Sequence, residues 1–166
     1  MSYQKNQIEE IAKKVESLVE HGDDKHIDVI AIAKHLELQV DEVEFENRNI
    51  SGMIEYQKKT ISIESRDPFV RKRFSVAHEI GHYVLHYMLD NEKKSEREVS
   101  YRANVSSQIY DPKEIEANHF AATLLMPENR VRDLWEYYCK DINEVARMLK
   151  VSVSALAFRL EYLGLL

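Results

Sequence analysis

At 166 residues the chain has room for one domain with a substantial core and is short for two. Its 29 acidic residues outnumber 23 lysines and arginines, and the net charge of -6 excludes the basic excess by which a generic nucleic-acid binder holds phosphates. A single cysteine, Cys139, excludes an internal disulfide, and no apolar run is long enough to span a bilayer.

The polar start, Met1-Ser2-Tyr3-Gln4-Lys5, has no apolar signal core, so a cytoplasmic protein is expected. From Gln4 to Glu20, Ile8, Ile11, Ala12, Val15, Leu18 and Val19 recur every three or four residues, which predicts an amphipathic helix ending near Gly22. A second short helix runs from a cap at Asp28 to Leu36. His21, His26 and His35 lie in or beside these helices without ligand spacing and read as exposed or cap residues.

Between Leu38 and Glu64 the hydrophobic period drops from 3.6 to 2. Val43 and Phe45, then Met53 to Tyr56, then Ile61 and Ile63 predict three antiparallel strands in a small meander. An edge of such a sheet can align an extended peptide by main-chain hydrogen bonds.

Next comes Phe74-Ser75-Val76-Ala77-His78-Glu79-Ile80-Gly81-His82-Tyr83-Val84-Leu85-His86, opened by Asp67-Pro68 as a helix start. Two histidines four residues apart share one helix face, so both imidazoles can reach one ion. Glu79 between them can take a proton from water activated there, the chemistry of H-E-x-x-H in zinc peptidases. His86 continues the stripe, but eight residues place it about 12 Å along the axis from His78, too far to share the ion. Leu85 and Met88 stand where a metzincin has its glycine and third histidine, so the third ligand must come from elsewhere.

Asp90 to Pro112 is charged and without clear period, and reads as a mobile loop of the kind that covers functional sites, with room for a short strand at Glu98 to Ala103. Asp111-Pro112 then opens a helix from Lys113 to about Met126, stopped by Pro127. Glu114, Ala117, Asn118, Ala121 and Leu125 share one face, and the alanines let it press against the helix of His78. Glu114 is thus the better third ligand; Glu116, rotated by about 200°, is expected at the surface. Asn118 can accept a hydrogen bond from the outer nitrogen of a ligating histidine. His119 points off that face and is read as a surface residue. Tyr83, Tyr101, Tyr110, His86 and His119 remain open as groups that could stabilise a transition state.

From Glu128 onward the pattern is helical. Val131, Leu134, Trp135 and Tyr138 form one segment, Asp141 to Glu144 a capping box, and Ser152 or Ser154 the cap of a last helix reaching Gly164. The last two helices look like a helix-turn-helix, but their charges cancel: Arg130, Arg132, Lys140, Arg147, Lys150 and Arg159 stand against Glu128, Asp133, Glu136, Asp141, Glu144 and Glu161. A packing or partner-docking role is expected rather than nucleic-acid binding.

The runs Arg71 to His82 and Glu114 to Pro127, with Ser51-Gly52 and the Val151-Ser152 to Leu163-Gly164 end, resemble the ImmA/IrrE family of zinc metallopeptidases. The resemblance implies a gluzincin-like α+β domain, mainly helical, with the small three-stranded sheet packed on the H-E-x-x-H helix. It implies one metallopeptidase-like domain over 1–166, with a catalytic core at 1–127 and a C-terminal helical subdomain at 128–166. His78, His82 and Glu114 match the zinc-ligand positions and Glu79 the catalytic one; Asn118 stands where thermolysin-like enzymes have an Asp. The resemblance further implies a regulatory protease acting on a protein substrate, commonly a helix-turn-helix repressor or antitoxin. A non-cleaving binding module, or a toxin component that regulates its cognate repressor, is the alternative.

Overall fold

A computed structural model describes residues 2–20, 22, 25–89, 99–103 and 111–166, the stretch 99–103 by its backbone alone. The elements are α1 (Lys5–Glu16), α2 (Val29–His35), β1 (Gln39–Val43), β2 (Ile50–Glu55), β3 (Thr60–Glu64) and α3 (Phe69–Gly81), which continues as a π-helical extension, His82–Met88. After β4 (Val99–Ala103) come α4 (Pro112–Leu125), α5 (Glu128–Arg132) with a π-helical continuation Asp133–Tyr138, α6 (Ile142–Leu149) and α7 (Val153–Tyr162). The expected α+β class holds. His21, Tyr110 and most of the expected 90–112 loop lie outside the described residues.

The sheet differs from the expected meander. Among the described residues it has four strands in the order β1-β3-β2-β4 and is mixed. β3 runs antiparallel to β2 but parallel to β1, from Gln39 opposite Thr60 to Val43 opposite Glu64. Residues 44–49 carry the chain from β1 past the place that β3 later fills, so strands adjacent in sequence are not adjacent in the sheet. Burial explains the order: Ile61, Ser62, Ile63 and Glu64 are all buried, as a central strand requires, while β1 has only exposed and half-buried positions, as an edge permits. The β2–β3 turn closes through Lys59 at φ 51°, with its N–H bonded to the Tyr56 carbonyl. β4, in the stretch with room for a short strand, pairs antiparallel with β2 across a bulge between Ile50 and Gly52.

Helix ends are set by local chemistry. Asp28, Asp111, Asp141 and Ser152 accept hydrogen bonds from first-turn backbone N–H groups of α2, α4, α6 and α7. For α3 the expected start shifts by one residue: Pro68 occupies the cap position without a side-chain bond, and Asp67 instead pairs with Arg71 at 3.2 Å.

The core joins the helices with β2 and β3 in one buried cluster, from Ile8 of α1 through Ile61 and Ile80 to Leu149 and Leu160, and Val40 of β1 packs against it half-buried. α3 lies closest to α4, and Gly81 makes that approach possible. A Cβ there would stand 3.0 Å from the Phe120 ring and 3.3 Å from the Ala117 backbone. The C-terminal helices are tied to this core: Arg73 Nε donates to the Lys150 carbonyl at 3.1 Å and Arg159 Nε to the Met126 carbonyl at 3.0 Å. The buried faces of α6 and α7 (Val145, Ala146 and Leu149; Leu156 and Leu160) pack inward.

Candidate metal centre

His78 and His82 lie in the last turn of α3 and the first residue of its π-helical extension, one turn apart and both buried. Their Nε2 atoms are 3.0 Å from each other. Glu114, the third residue of α4, reaches them from the facing helix, with Oε1 2.9 Å from His82 Nε2 and Oε2 3.2 Å from His78 Nε2. Among the described residues these three form the group whose ligand atoms all lie within 4.8 Å of one another.

Two imidazole nitrogens and two carboxylate oxygens converging on one point need a shared cation or protons between them. An ion about 2.0–2.1 Å from each nitrogen at a tetrahedral angle holds the nitrogens roughly 3.3 Å apart, close to the spacing present here. The donor set fits zinc, with two imidazoles, one carboxylate and a position left for water or substrate.

The surroundings prepare these groups. His78 Nδ1 lies 3.0 Å from Asn118 Oδ1; an amide oxygen only accepts, so Nδ1 carries the proton and Nε2 presents its lone pair. Burial alone would raise the Glu114 carboxyl, but with no metal ion in place protons on the facing His78 and His82 Nε2 atoms hydrogen-bond to it, more than offset this and hold it well below the usual carboxylate range; a metal cation would take the place of those protons. Glu79 is fully buried. Its carboxylate lies against β2: a Cβ on Gly52 would come within 3.0 Å of Glu79 Oε1. Arg71 Nε donates to Ser51 Oγ at 3.2 Å, a second tie between α3 and this strand.

Other residues considered from the sequence fall elsewhere. His86 is buried; its Nε2 donates to the Lys113 carbonyl at 3.3 Å, and burial lowers its pKa to about 4, so it stays neutral. Tyr83 stacks on Tyr87, which stacks in turn on Tyr56. His119 is not a plain surface residue as expected: it is half-buried, with Nε2 3.3 Å from Glu9 Oε1 and its ring edge-on to Tyr162. His26 is likewise half-buried, accepting from Lys150 Nζ at 3.0 Å, while His35 is exposed. Tyr101 is described only as part of β4.

Glu116 is the clearest correction. It does point away from the two histidines, but it is 5 % exposed rather than on the surface. Its Oε1 accepts from Ser2 Oγ and from the Tyr3 N–H, each at 2.8 Å. Helical spacing separates the two glutamates but does not record that the N-terminal segment covers the second. The capacity of Gly52 and Gly81 to admit close neighbours was also missed; the signal available was a glycine within each of two otherwise regular elements.

A comparison with the curated proteins finds no match. Residues 33–161 match the family model of Peptidase M78, the IrrE N-terminal-like domain. That span takes in the whole of α3, its π-helical extension and α4, and with them every residue of the centre just described, so the chain belongs to the Peptidase M78 family.

Proposed function

We propose that the chain is a zinc-dependent regulatory endopeptidase that cleaves a specific protein partner, a helix-turn-helix repressor or antitoxin. The observation that carries this is the convergence of His78, His82 and Glu114, with Glu79 in the same helical turn as the two histidines. His78, His82 and Glu114 would hold the metal. When bound, zinc supplies Lewis acidity that polarises a scissile carbonyl and acidifies water. Glu79, buried against β2, takes the proton of the attacking water and passes it to the leaving amine. Asn118 keeps His78 in the tautomer that presents Nε2.

The surroundings favour a peptide substrate. β4 is the outer strand beside β2, and its outer edge can take an extended chain by main-chain hydrogen bonds. An apolar groove of about 450 Å³, lined by Val70, Phe74, Leu125, Met126, Ala155 and Phe158, lies along α3. Phe74 joins the groove to the centre: its ring centroid is 6.4 Å from that of His78, one turn on. Side chains flanking the scissile bond can lie there.

The test is to incubate the zinc-loaded protein with an extract of its host and to read new protein N-termini by mass spectrometry, beside Glu79→Gln. The wild type should generate a small set of new termini in one partner; Glu79→Gln should keep one zinc per chain and generate none. Equal cleavage by both would refute the assignment of Glu79. Regulation of the partner in cells by Glu79→Gln would favour a non-cleaving binding module.

A further inference from the structure

α4, which carries Glu114, and the α3 extension, which begins with His82, are bridged by a short segment from elsewhere in the chain. Ser2 Oγ and the Tyr3 N–H both donate to Glu116 Oε1 of α4 at 2.8 Å. The Tyr3 hydroxyl donates to the Leu85 carbonyl of the extension at 3.1 Å. Tyr3 thus holds α4 with its backbone and the extension with its side chain. His86 makes a second link, donating from Nε2 to the Lys113 carbonyl at 3.3 Å, with Glu116 Oε2 3.8 Å away.

These contacts bracket Glu114. It stands in the first turn of α4, where a helix frays most readily, and the residues held from outside are Lys113 and Glu116 on either side of it. The gap being fixed is the one Glu114 spans to reach His82 at 2.9 Å. Ser2 and Tyr3 lie outside the span 33–161 that matches the family model, so the bridge is built from a segment which that match does not include.

We propose that the Ser2–Tyr3 strap, closed on Glu116 and Leu85, is a positioning device for the metal ligand Glu114. The metal centre and the docking of the N-terminal segment are then coupled. Whatever tightens one tightens the other by the same factor, and a partner that captured residues 2 and 3 would loosen the metal. This inference rests on the metal-site reading above.

The test is zinc affinity by competition with a chromogenic chelator, read beside the melting temperature of the metal-free protein. Glu116→Ala should weaken zinc binding about tenfold or more, as loss of groups that orient a ligand does. Glu116→Gln keeps an oxygen that accepts from Ser2 and Tyr3, and should recover most of that loss. The double variant Ser2→Ala, Tyr3→Phe removes two strap bonds without touching α4, so it keeps the question open to test if Glu116→Ala fails to fold; it should weaken zinc severalfold. By reciprocity, zinc should slow hydrogen exchange at the Tyr3 amide. If Glu116→Ala and the strap variant melt lower without zinc yet bind zinc as wild type does, the strap is structural only and the positioning role is overturned. Wild-type protein that bound no zinc would instead overturn the metal site itself.

Discussion

Asn118 Oδ1 accepts a hydrogen bond from His78 Nδ1 at 3.0 Å, across the contact between α4 and α3. The bond selects the imidazole tautomer and aims Nε2 at Glu114 and His82. An amide oxygen is a weaker acceptor than a carboxylate, so it leaves the histidine less basic as a ligand. Zinc affinity should therefore follow the order Asn118→Asp, wild type, Asn118→Ala, with Ala weaker than wild type by about tenfold in chelator competition. Equal affinities for Ala and wild type would show that the bond does not tune the site.

Gly81 sets how close α3 comes to α4. Alanine there gains roughly 1 kcal/mol of helix propensity. Against this, its Cβ would meet the Phe120 ring at 3.0 Å and Ala117 backbone at 3.3 Å, and backbone cannot swing aside. Overpacking of this kind costs about 1–3 kcal/mol. Gly81→Ala should lower the melting temperature of the metal-free protein and also weaken zinc binding, because the gap that widens is the one Glu114 crosses. A variant more stable than wild type would show that the helices can separate at no cost.

Glu64 supplies a pH test away from the centre. Hydrogen bonds from the Arg66 side chain, then from the Arg66 N–H, hold its carboxyl at about 2, with the Phe45 N–H adding to them and burial opposing. The unfolded chain takes up this proton near pH 4.3. Between that pH and about 2 the unfolded state binds more protons, so the stabilisation is present above the window and lost as pH falls through it. Glu64→Gln should melt below wild type at pH 7, and the difference should shrink as pH falls from about 4.5 towards 2. A difference that stayed constant across this range would contradict the assignment.

Much of this was legible in the sequence because helical spacing is a local property. The His78-x-x-x-His82 pair and the face shared by Glu114 and Asn118 follow from 3.6 residues per turn, and the side chains meet as that geometry requires. The sheet was read less well. Alternation marked Ile61 and Ile63 as strand but could not say that β3 lies between β1 and β2, since pairing is decided by burial on both faces and by the path of residues 44–49. Glu116 was misplaced for a similar reason. Its covering comes from Ser2 and Tyr3, more than a hundred residues away, and no pattern within α4 records it.

We propose that His78, His82 and Glu114 hold one zinc ion. This is tested most directly by zinc retained after dialysis against a mild chelator, measured for wild type and Glu114→Ala, with melting temperature recorded with and without metal. Wild type should keep one zinc per chain and melt higher with it, because an ion bound only by the folded state adds to stability. Glu114→Ala should lose the zinc and with it the metal-dependent rise in melting temperature. Full retention of zinc by Glu114→Ala would contradict the claim and require another third ligand.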